Sequence, residues 1–103
     1  MDIVIDDGSH VNEHVLTSFK VLFPLLKNGG VYVVEDVQTT YDDGYGGDSQ
    51  DLNNPSTTMN FFKSRTDCVN YEEIINPENK ISCFEKQIVS MHFYRKLIFI
   101  YKK

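Results

Sequence analysis

Two acidic clusters follow two apolar runs in the first third of this chain. Asp6-Asp7-Gly8-Ser9-His10 comes after Asp2-Ile3-Val4-Ile5, and Glu35-Asp36 comes after Gly30-Val31-Tyr32-Val33-Val34. Carboxylate oxygens are hard ligands of the kind that Mg²⁺, Ca²⁺ and Mn²⁺ prefer. A histidine beside such carboxylates can accept a proton. These residue types indicate a divalent metal site with a base, provided that the fold brings the two clusters together.

Both apolar runs have the pattern of strands, and the stretch between them has the pattern of a helix. Residues 2–6 and 31–35 are expected to be buried parallel strands, because their apolar residues are consecutive. Residues 12–27 carry apolar residues at helical spacing, and Asn12 can cap the start. Pro24 is expected to kink this helix or to open a separate last turn. The sequence therefore predicts a βαβ unit.

The carboxyl ends of parallel strands in a right-handed βαβ unit lie side by side, and ligands bind beyond them. This geometry predicts that Asp7, Glu35 and Asp36 meet in one crevice, with His10 close by. Three carboxylates so close together repel one another unless a cation lies among them. The residues alone therefore predict a divalent cation site beside a candidate proton acceptor.

The middle of the chain is expected to contain a long loop and one short helix. Residues 37–56 have no apolar periodicity and are rich in glycine, asparagine and aspartate, which predicts a surface loop. Loops of this length in compact domains tend to be functional or disordered, and this one either covers an acceptor molecule or is simply mobile. Residues 57–66 have the pattern of a helix, and residues 67–80 are polar and irregular.

The end of the chain has the pattern of an antiparallel hairpin. Residues 87–93 and 97–101 are two strand candidates, separated by the short turn 94–96. Residues 81–84 are a candidate for a further short piece before them. The whole pattern predicts an α/β fold with the order βαβ, loop, helix and hairpin, and we expect residues 1–103 to form a single partial domain.

Composition argues against nucleic-acid and membrane partners. Only ten of the 103 residues are Lys or Arg, and the net charge is −5, so the clustered basic footprint of a nucleic-acid-binding protein is missing. No apolar stretch approaches the roughly 20 residues that span a bilayer, and no signal-peptide features are visible at the start. Cys68 and Cys83 match no zinc or redox spacing. We therefore expect a cytoplasmic protein with reduced thiols.

Several separate motifs, in order and nearly end to end, resemble those of the metal-dependent sugar O-methyltransferases of antibiotic biosynthesis and their cephalosporin-hydroxylase-like relatives. The motifs are Asp2–His10 (DIVIDDGSH), Thr17-Ser18-Phe19, Leu22–Leu26 (LFPLL), Val31–Asp36 (VYVVED), Thr39-Thr40-Tyr41, Gly46-Gly47, Ser90–Tyr94 (SMHFY) and Leu97–Ile100 (LIFI). The likeness is weakest across residues 48–87. It implies the C-terminal half of a Rossmann-like class I methyltransferase that depends on S-adenosylmethionine.

The resemblance also implies a role for each candidate residue. It implies that Asp7, Glu35 and Asp36 hold Mg²⁺, that His10 is the general base, and that Asp7 also lies near S-adenosylmethionine. The acceptor would be a hydroxyl of a sugar or another small molecule. In the family, the glycine-rich loop that holds the cofactor belongs to the first half, and no such loop occurs here. We therefore expect the isolated chain to be inactive and to need the missing N-terminal half, or to associate with itself through an exposed sheet edge.

Each of these residues also has a plainer interpretation. Asp7 could cap the following helix, His10 could be a helix-start residue, and Glu35 and Asp36 could be solvated loop carboxylates. Asp6, His14 and His92 are expected to be structural.

Two other functions stay open at this stage. One is a catalytically inactive metal-binding or interaction module derived from the same fold. The other is an iron oxygenase, which the hydroxylase name suggests. Non-haem iron sites of that kind use two histidines and one carboxylate, whereas three carboxylates and one histidine converge here, which favours Mg²⁺.

Overall fold

The described part of the chain, residues 2–70, 73 and 87–103 of a computed structural model, forms a four-stranded mixed sheet. The strands are β1 (Ile3–Asp6), β2 (Val31–Glu35), β3 (Ile88–Tyr94) and β4 (Leu97–Lys102), in the order β1-β2-β4-β3. β1 and β2 are parallel, and the other two pairs are antiparallel. The α/β arrangement expected from the sequence, a parallel pair followed by a hairpin, is confirmed.

The register of the parallel pair brings the two acidic clusters to one edge of the sheet. Ile3 lies opposite Val31 and Asp6 lies opposite Val34, so β1 ends one residue short of the level at which β2 ends. Asp7 therefore emerges beside the end of β2. This is the placement that the βαβ pattern predicted.

The helix that joins the parallel strands is shorter than expected. α1 covers Asn12–Leu22, and a separate 3₁₀ turn follows at Phe23–Leu25. The expectation of one helix to residue 27 is therefore wrong, whereas the separate last turn expected at Pro24 is confirmed. Proline has no N–H to donate to the preceding turn, which ends the regular helix there.

One face of the sheet carries the core. Phe19 of α1 is fully buried; its ring stacks on Phe23 at 4.8 Å between centroids and meets Tyr32 and Phe62 edge to face at 5.1 and 4.9 Å. Phe62 belongs to α2, which covers Thr58–Ser64, slightly less than the predicted 57–66. Aromatic pairs of this geometry add to the free energy gained by burial.

The opposite face of β1 is open within the described residues. Ile3 and Ile5 are 60% and 59% exposed, although consecutive apolar residues had predicted a strand buried on both sides. β1 lies at the end of the strand order, and the helices pack on the other face. An apolar edge and face of this kind is suited to covering by another segment of polypeptide.

The predicted surface loop begins with ordered structure. Two 3₁₀ segments, Val37–Tyr41 and Asp43–Tyr45, follow β2 directly, and Val37, Thr39 and Thr40 are buried. The expectation of a plain surface loop is therefore wrong for this part. Residues 37–45 show no apolar periodicity because their buried side chains lie in short turns and not in a regular element.

The last described elements match the expected hairpin. Tyr94 pairs with Leu97, so the connection is Arg95-Lys96, one residue shorter than predicted. A short helix, α3 (Thr66–Val69), occupies the start of the stretch expected to be irregular. The candidate piece at residues 81–84 lies outside the described residues, as does Cys83. Within the described part, no helix is both long and apolar enough to cross a membrane.

Lys102 ties the end of β4 to the 3₁₀ turn after α1. Its side chain is buried, and Nζ donates to the carbonyl oxygens of Phe23, Pro24 and Leu26 at 3.4, 3.1 and 2.6 Å. Carbonyls at the end of a helix have no partner within the helix. The lysine satisfies them, and it thereby fixes α1 against the sheet.

Candidate metal centre

Three of the candidate residues converge where β1 and β2 end. Asp7, His10 and Asp36 each offer a ligand atom, and these atoms lie within 4.8 Å of one another. His10 Nε2 lies 3.4 Å from Asp36 Oδ2 and 3.9 Å from Asp7 Oδ1. The two acidic clusters, 29 positions apart in sequence at Asp7 and Asp36, thus form one site.

Glu35 faces the same cluster from the end of β2. Partial desolvation raises the pKa of its carboxyl group, and the charge of Asp7, a side-chain hydrogen bond with Asp7 and the charge of Asp36 raise it further, while His10 lowers it. The group of mutually close ligand atoms contains Asp7, His10 and Asp36 but not Glu35. Glu35 therefore lies next to Asp7 but outside the group whose ligand atoms are within 4.8 Å of one another.

The backbone adopts a left-handed conformation at two of the converging residues. φ is 64° at His10 and 57° at Asp36, and the third non-glycine residue of this kind in the described chain is Lys96 in the hairpin turn. Such a conformation costs about 1 kcal/mol or more for a residue with a β-carbon, and it persists only where the surroundings impose it. At Asp36, Thr39 holds the backbone, since its N–H and its Oγ1 both lie 3.3 Å from the Asp36 carbonyl oxygen.

Asp6 does not belong to the converging group. Its Oδ1 accepts a hydrogen bond from the Gly8 N–H at 3.2 Å, which shapes the turn after β1. Its Oδ2 and the Tyr32 hydroxyl are both buried and have no hydrogen-bond partner among the described residues. Burial raises the pKa of Tyr32, and the charge of Asp6 raises it further. Asp6 thus occupies the strand-end position expected from the sequence.

The other two histidines make contacts of their own outside the converging set. Ser9 Oγ lies 2.8 Å from His14 Nδ1 on the surface of the first turn of α1. His92 packs its ring edge to face against Tyr101 at 5.2 Å, and its Nε2 lies 3.3 Å from Ser90 Oγ. Neither belongs to the group that could hold a metal ion.

Asn12 holds the site's surroundings together, a role that the sequence did not reveal. Its amide group donates to the carbonyl oxygens of Thr39 and Tyr45 at 2.8 and 2.9 Å. Its Oδ1 accepts from the N–H and the Oγ1 of Thr58 at 2.7 and 2.9 Å. The expectation that Asn12 caps α1 is wrong, because Val11 occupies the cap position and no side-chain cap bond is present. No local pattern could have shown this, since the partners lie 27 to 46 positions away.

The donor set fits a hard divalent cation. Two carboxylates and an imidazole converge, and a third carboxylate lies beside Asp7. Without a cation, these negative charges repel one another. Desolvation raises the pKa of Glu35 most, and the nearby charges of Asp7 and Asp36 raise it further. The side chains of Asp7 and Asp36 are 63% and 42% exposed, so oxygen atoms of another molecule could reach a cation held between them.

Known proteins similar to this chain are O-methyltransferases, although no family model matches it. The chain is 43% identical over 102 residues to demethylmacrocin O-methyltransferase of Streptomyces fradiae and 40% identical over 102 residues to mycinamicin VI 2''-O-methyltransferase of Micromonospora griseorubida. It is 44% identical over 102 residues to a tetracenomycin-C 3'-O-methyltransferase of Streptomyces olivaceus. Each alignment covers 98% of this chain and 26% of the relative.

Solved structures give the same result. The methyltransferase MycE of the mycinamycin biosynthetic pathway, in complex with Mg and SAH, superposes with a TM-score of 0.90 at 40% identity. The match covers 99% of this chain and 27% of that one. The same protein in complex with Mg, SAH and mycinamycin VI superposes with a TM-score of 0.88.

The chain therefore spans about a quarter of the length of the relatives it matches. The matched region includes both acidic clusters and all four strands described above. By sequence and by fold, this chain is similar to the C-terminal part of sugar O-methyltransferases.

Proposed function

We propose that this chain supplies the metal-binding and proton-accepting part of a Mg²⁺-dependent O-methyltransferase that uses S-adenosylmethionine. The acceptor would be a hydroxyl of a sugar or of another small molecule. One observation carries the proposal: Asp7, His10 and Asp36 converge within 4.8 Å at the ends of β1 and β2. It is supported by the likeness to a protein whose solved structure holds Mg and SAH.

In this proposal Asp7, Glu35 and Asp36 hold the cation. Mg²⁺ would lower the pKa of the acceptor hydroxyl and orient it, and S-adenosylmethionine would supply the electrophilic methyl group. Asp7 also lies near the cofactor in this proposal. The carboxylates of Asp7 and Asp36 carry the negative charge that attracts the cation, and Glu35 adds a third carboxylate beside Asp7.

His10 is the proposed general base. Its Nε2 takes the proton from the hydroxyl group that is methylated. Asp36 Oδ2, 3.4 Å away, stabilises the positive charge that the ring then carries. Imidazole in water titrates near neutral pH, which suits it to such a transfer. The left-handed backbone at His10 fixes the direction in which the ring leaves the chain.

Methyl transfer is proposed to need more polypeptide than residues 1–103, which in this proposal form one partial domain. The chain matches about a quarter of its relatives, and the described residues leave Ile3 and Ile5 exposed on β1. The counterpart of the relatives' remaining three quarters, or a second copy of the chain, would cover that surface. We place this assembly in the cytoplasm, without nucleic-acid or membrane partners.

A chimaera tests the proposed function. Residues of this chain replace the matching quarter of the Micromonospora mycinamicin VI 2''-O-methyltransferase, and transfer of labelled methyl to mycinamicin VI is measured. We expect activity in the chimaera and a loss of at least about 100-fold on Asp7→Ala or Asp36→Ala, since either change removes a cation ligand. Asp43→Ala, which removes an exposed carboxylate outside the cluster, is the matched control.

The competing function, an inactive metal-binding module, gives a different result. This alternative is supported by the fact that the chain matches only about a quarter of each relative. It predicts a folded chimaera that binds metal but transfers no methyl group. Equal activity of the Asp7→Ala, Asp36→Ala and Asp43→Ala chimaeras would contradict the proposed catalytic role of the cluster.

A further inference from the structure

Asn12 is buried with all four hydrogen-bonding positions of its amide filled. Its exposed fraction is 1%. A side-chain amide has two N–H donors and two acceptor lone pairs, and here they serve the carbonyls of Thr39 and Tyr45 and the two donors of Thr58. One side chain thus joins the start of α1, the segment after β2 and the start of α2.

On one side, Asn12 is continuous with the segment that carries two members of the metal centre. Asp7 follows β1, His10 follows three residues later, and α1 begins at Asn12. The segment between β1 and α1 is short, and its conformation at His10 is left-handed. The position of the first residue of α1 therefore influences the positions of the His10 imidazole and the Asp7 carboxylate.

On the other side, two successive hydrogen-bonded steps connect Asn12 to the third member. The amide of Asn12 donates to the Thr39 carbonyl oxygen at 2.8 Å. Thr39 in turn donates from its N–H and its Oγ1 to the Asp36 carbonyl oxygen, both at 3.3 Å. These bonds hold the turn in which Asp36 has its left-handed backbone.

We infer that Asn12 is a positioning residue, which sets the spacing between the Asp7–His10 segment and Asp36 without touching either. The inference rests on the proposed metal centre and deepens it. The two carbonyl oxygens that Asn12 satisfies both belong to the segment directly after Asp36, and losing the two N–H donors would release that segment from α1. The distances from Asp36 to Asp7 and His10 would then vary more, and the affinity for the cation would fall.

Two substitutions break the connection at different points. Asn12→Asp keeps the acceptor for Thr58 but sets a carboxylate oxygen against the carbonyls of Thr39 and Tyr45. Thr39→Val keeps Asn12 and removes only the Oγ1 bond to the Asp36 carbonyl. Thr58→Val is the matched control, since it removes a buried hydrogen bond to Asn12 and leaves both bonds to the segment after Asp36 in place.

The experiment measures Mn²⁺ affinity and the Mn²⁺ electron paramagnetic resonance spectrum in the full polypeptide that carries these residues. We expect Asn12→Asp to weaken Mn²⁺ binding at least about 10-fold, the range seen when partners outside the ligand set are removed. Thr39→Val should weaken it less and alter the spectrum. Thr58→Val should lower the melting temperature and leave both metal readouts unchanged, which a purely structural role of Asn12 would not predict.

The outcomes separate the two claims. If the unaltered protein binds no Mn²⁺, the proposed metal centre is wrong and the inference is wrong with it. If the unaltered protein binds Mn²⁺ and both Asn12→Asp and Thr39→Val bind it with the same affinity and spectrum, only the inference is wrong. If Asn12→Asp does not fold, an unchanged result for Thr39→Val overturns the inference by itself.

Discussion

The metal centre depends on charges that oppose one another in the absence of a cation. Desolvation raises the pKa of the Glu35 carboxyl group, the charges of Asp7 and Asp36 raise it further, and His10 lowers it. Repulsion within a site is characteristic of positions selected for binding rather than for folding stability. A cation that binds only the folded state would therefore stabilise the protein.

Glu35 gives this repulsion a testable pH dependence. Its folded-state pKa lies above the ordinary value of 4.5, so the folded chain holds this proton more tightly than the unfolded chain does. The free energy of unfolding should therefore fall as the pH rises from below 4.5 through the raised pKa. In metal-free buffer, Glu35→Gln should remove this part of the pH dependence, as measured by melting temperature between pH 4 and 7.

A matched substitution and added metal complete that test. Glu13→Gln removes a carboxylate from the first turn of α1, outside the cluster, and should leave the pH dependence unchanged. Added Mg²⁺ should raise the melting temperature of the unaltered protein more at pH 7 than at pH 4. A melting profile that Glu35→Gln does not alter would show that the carboxylates do not interact as described.

Among the secondary-structure elements, those that have a residue pattern of their own could be predicted from the sequence. Consecutive apolar residues marked β1 and β2, helical spacing marked α1, and the topology of a βαβ unit then implied that the acidic clusters meet. The left-handed backbone at His10 and Asp36 has no such signal, because residues with β-carbons rarely adopt it. The role of Asn12 was equally hidden, since it depends on residues from distant segments.

The segment after β2 depends on a close approach of its own backbone. A β-carbon on Gly47 would overlap the carbonyl oxygens of Thr39 and Thr40. The Gly47 N–H also donates to the Asp42 carbonyl at 2.9 Å, which closes the turn around Asp43–Tyr45. This contact, and not a left-handed backbone, is the reason for glycine at this position.

Gly47→Ala should therefore displace the segment that Asn12 holds. We expect the melting temperature to fall by several degrees. The new β-carbon would meet the carbonyl oxygens of Thr39 and Thr40, which cannot move aside without breaking the hydrogen bonds that they accept. Gly44→Ala is the control, because a β-carbon there would meet only the Asp42 side chain, at 3.2 Å. Equal melting temperatures of the two variants, measured in the same background, would contradict the close approach.

At the scale of the whole molecule, the described residues cover one face of the sheet and leave the edge strand β1 exposed on the other. Burial of Ile3 and Ile5 by another polypeptide would remove apolar surface from water, which is favourable in proportion to the area buried. The chain matches only about a quarter of its relatives. A counterpart of their remaining length would be the polypeptide that covers Ile3 and Ile5. The described residues therefore show a unit whose core is formed but whose first strand lacks cover.

The isolated chain should consequently associate. We expect sedimentation velocity of the purified 103-residue chain to show species larger than a monomer, because exposed apolar strand edges pair with one another. Replacing both Ile3 and Ile5 with Lys should shift the chain towards monomer, whereas Val21→Lys, an exposed apolar residue on α1, should not. A monomeric chain with cooperative unfolding would refute the association.

The four side chains proposed to hold the cation or to accept the proton all lie within residues 7–36. Recombination between homologous genes that exchanges this stretch would therefore transfer the proposed cation ligands and the proposed base together. The turns from Val37 onwards, which come after it, are free to diverge in their exposed positions. Sequence changes in those turns could then alter the surroundings of the candidate site while its four converging residues stay the same.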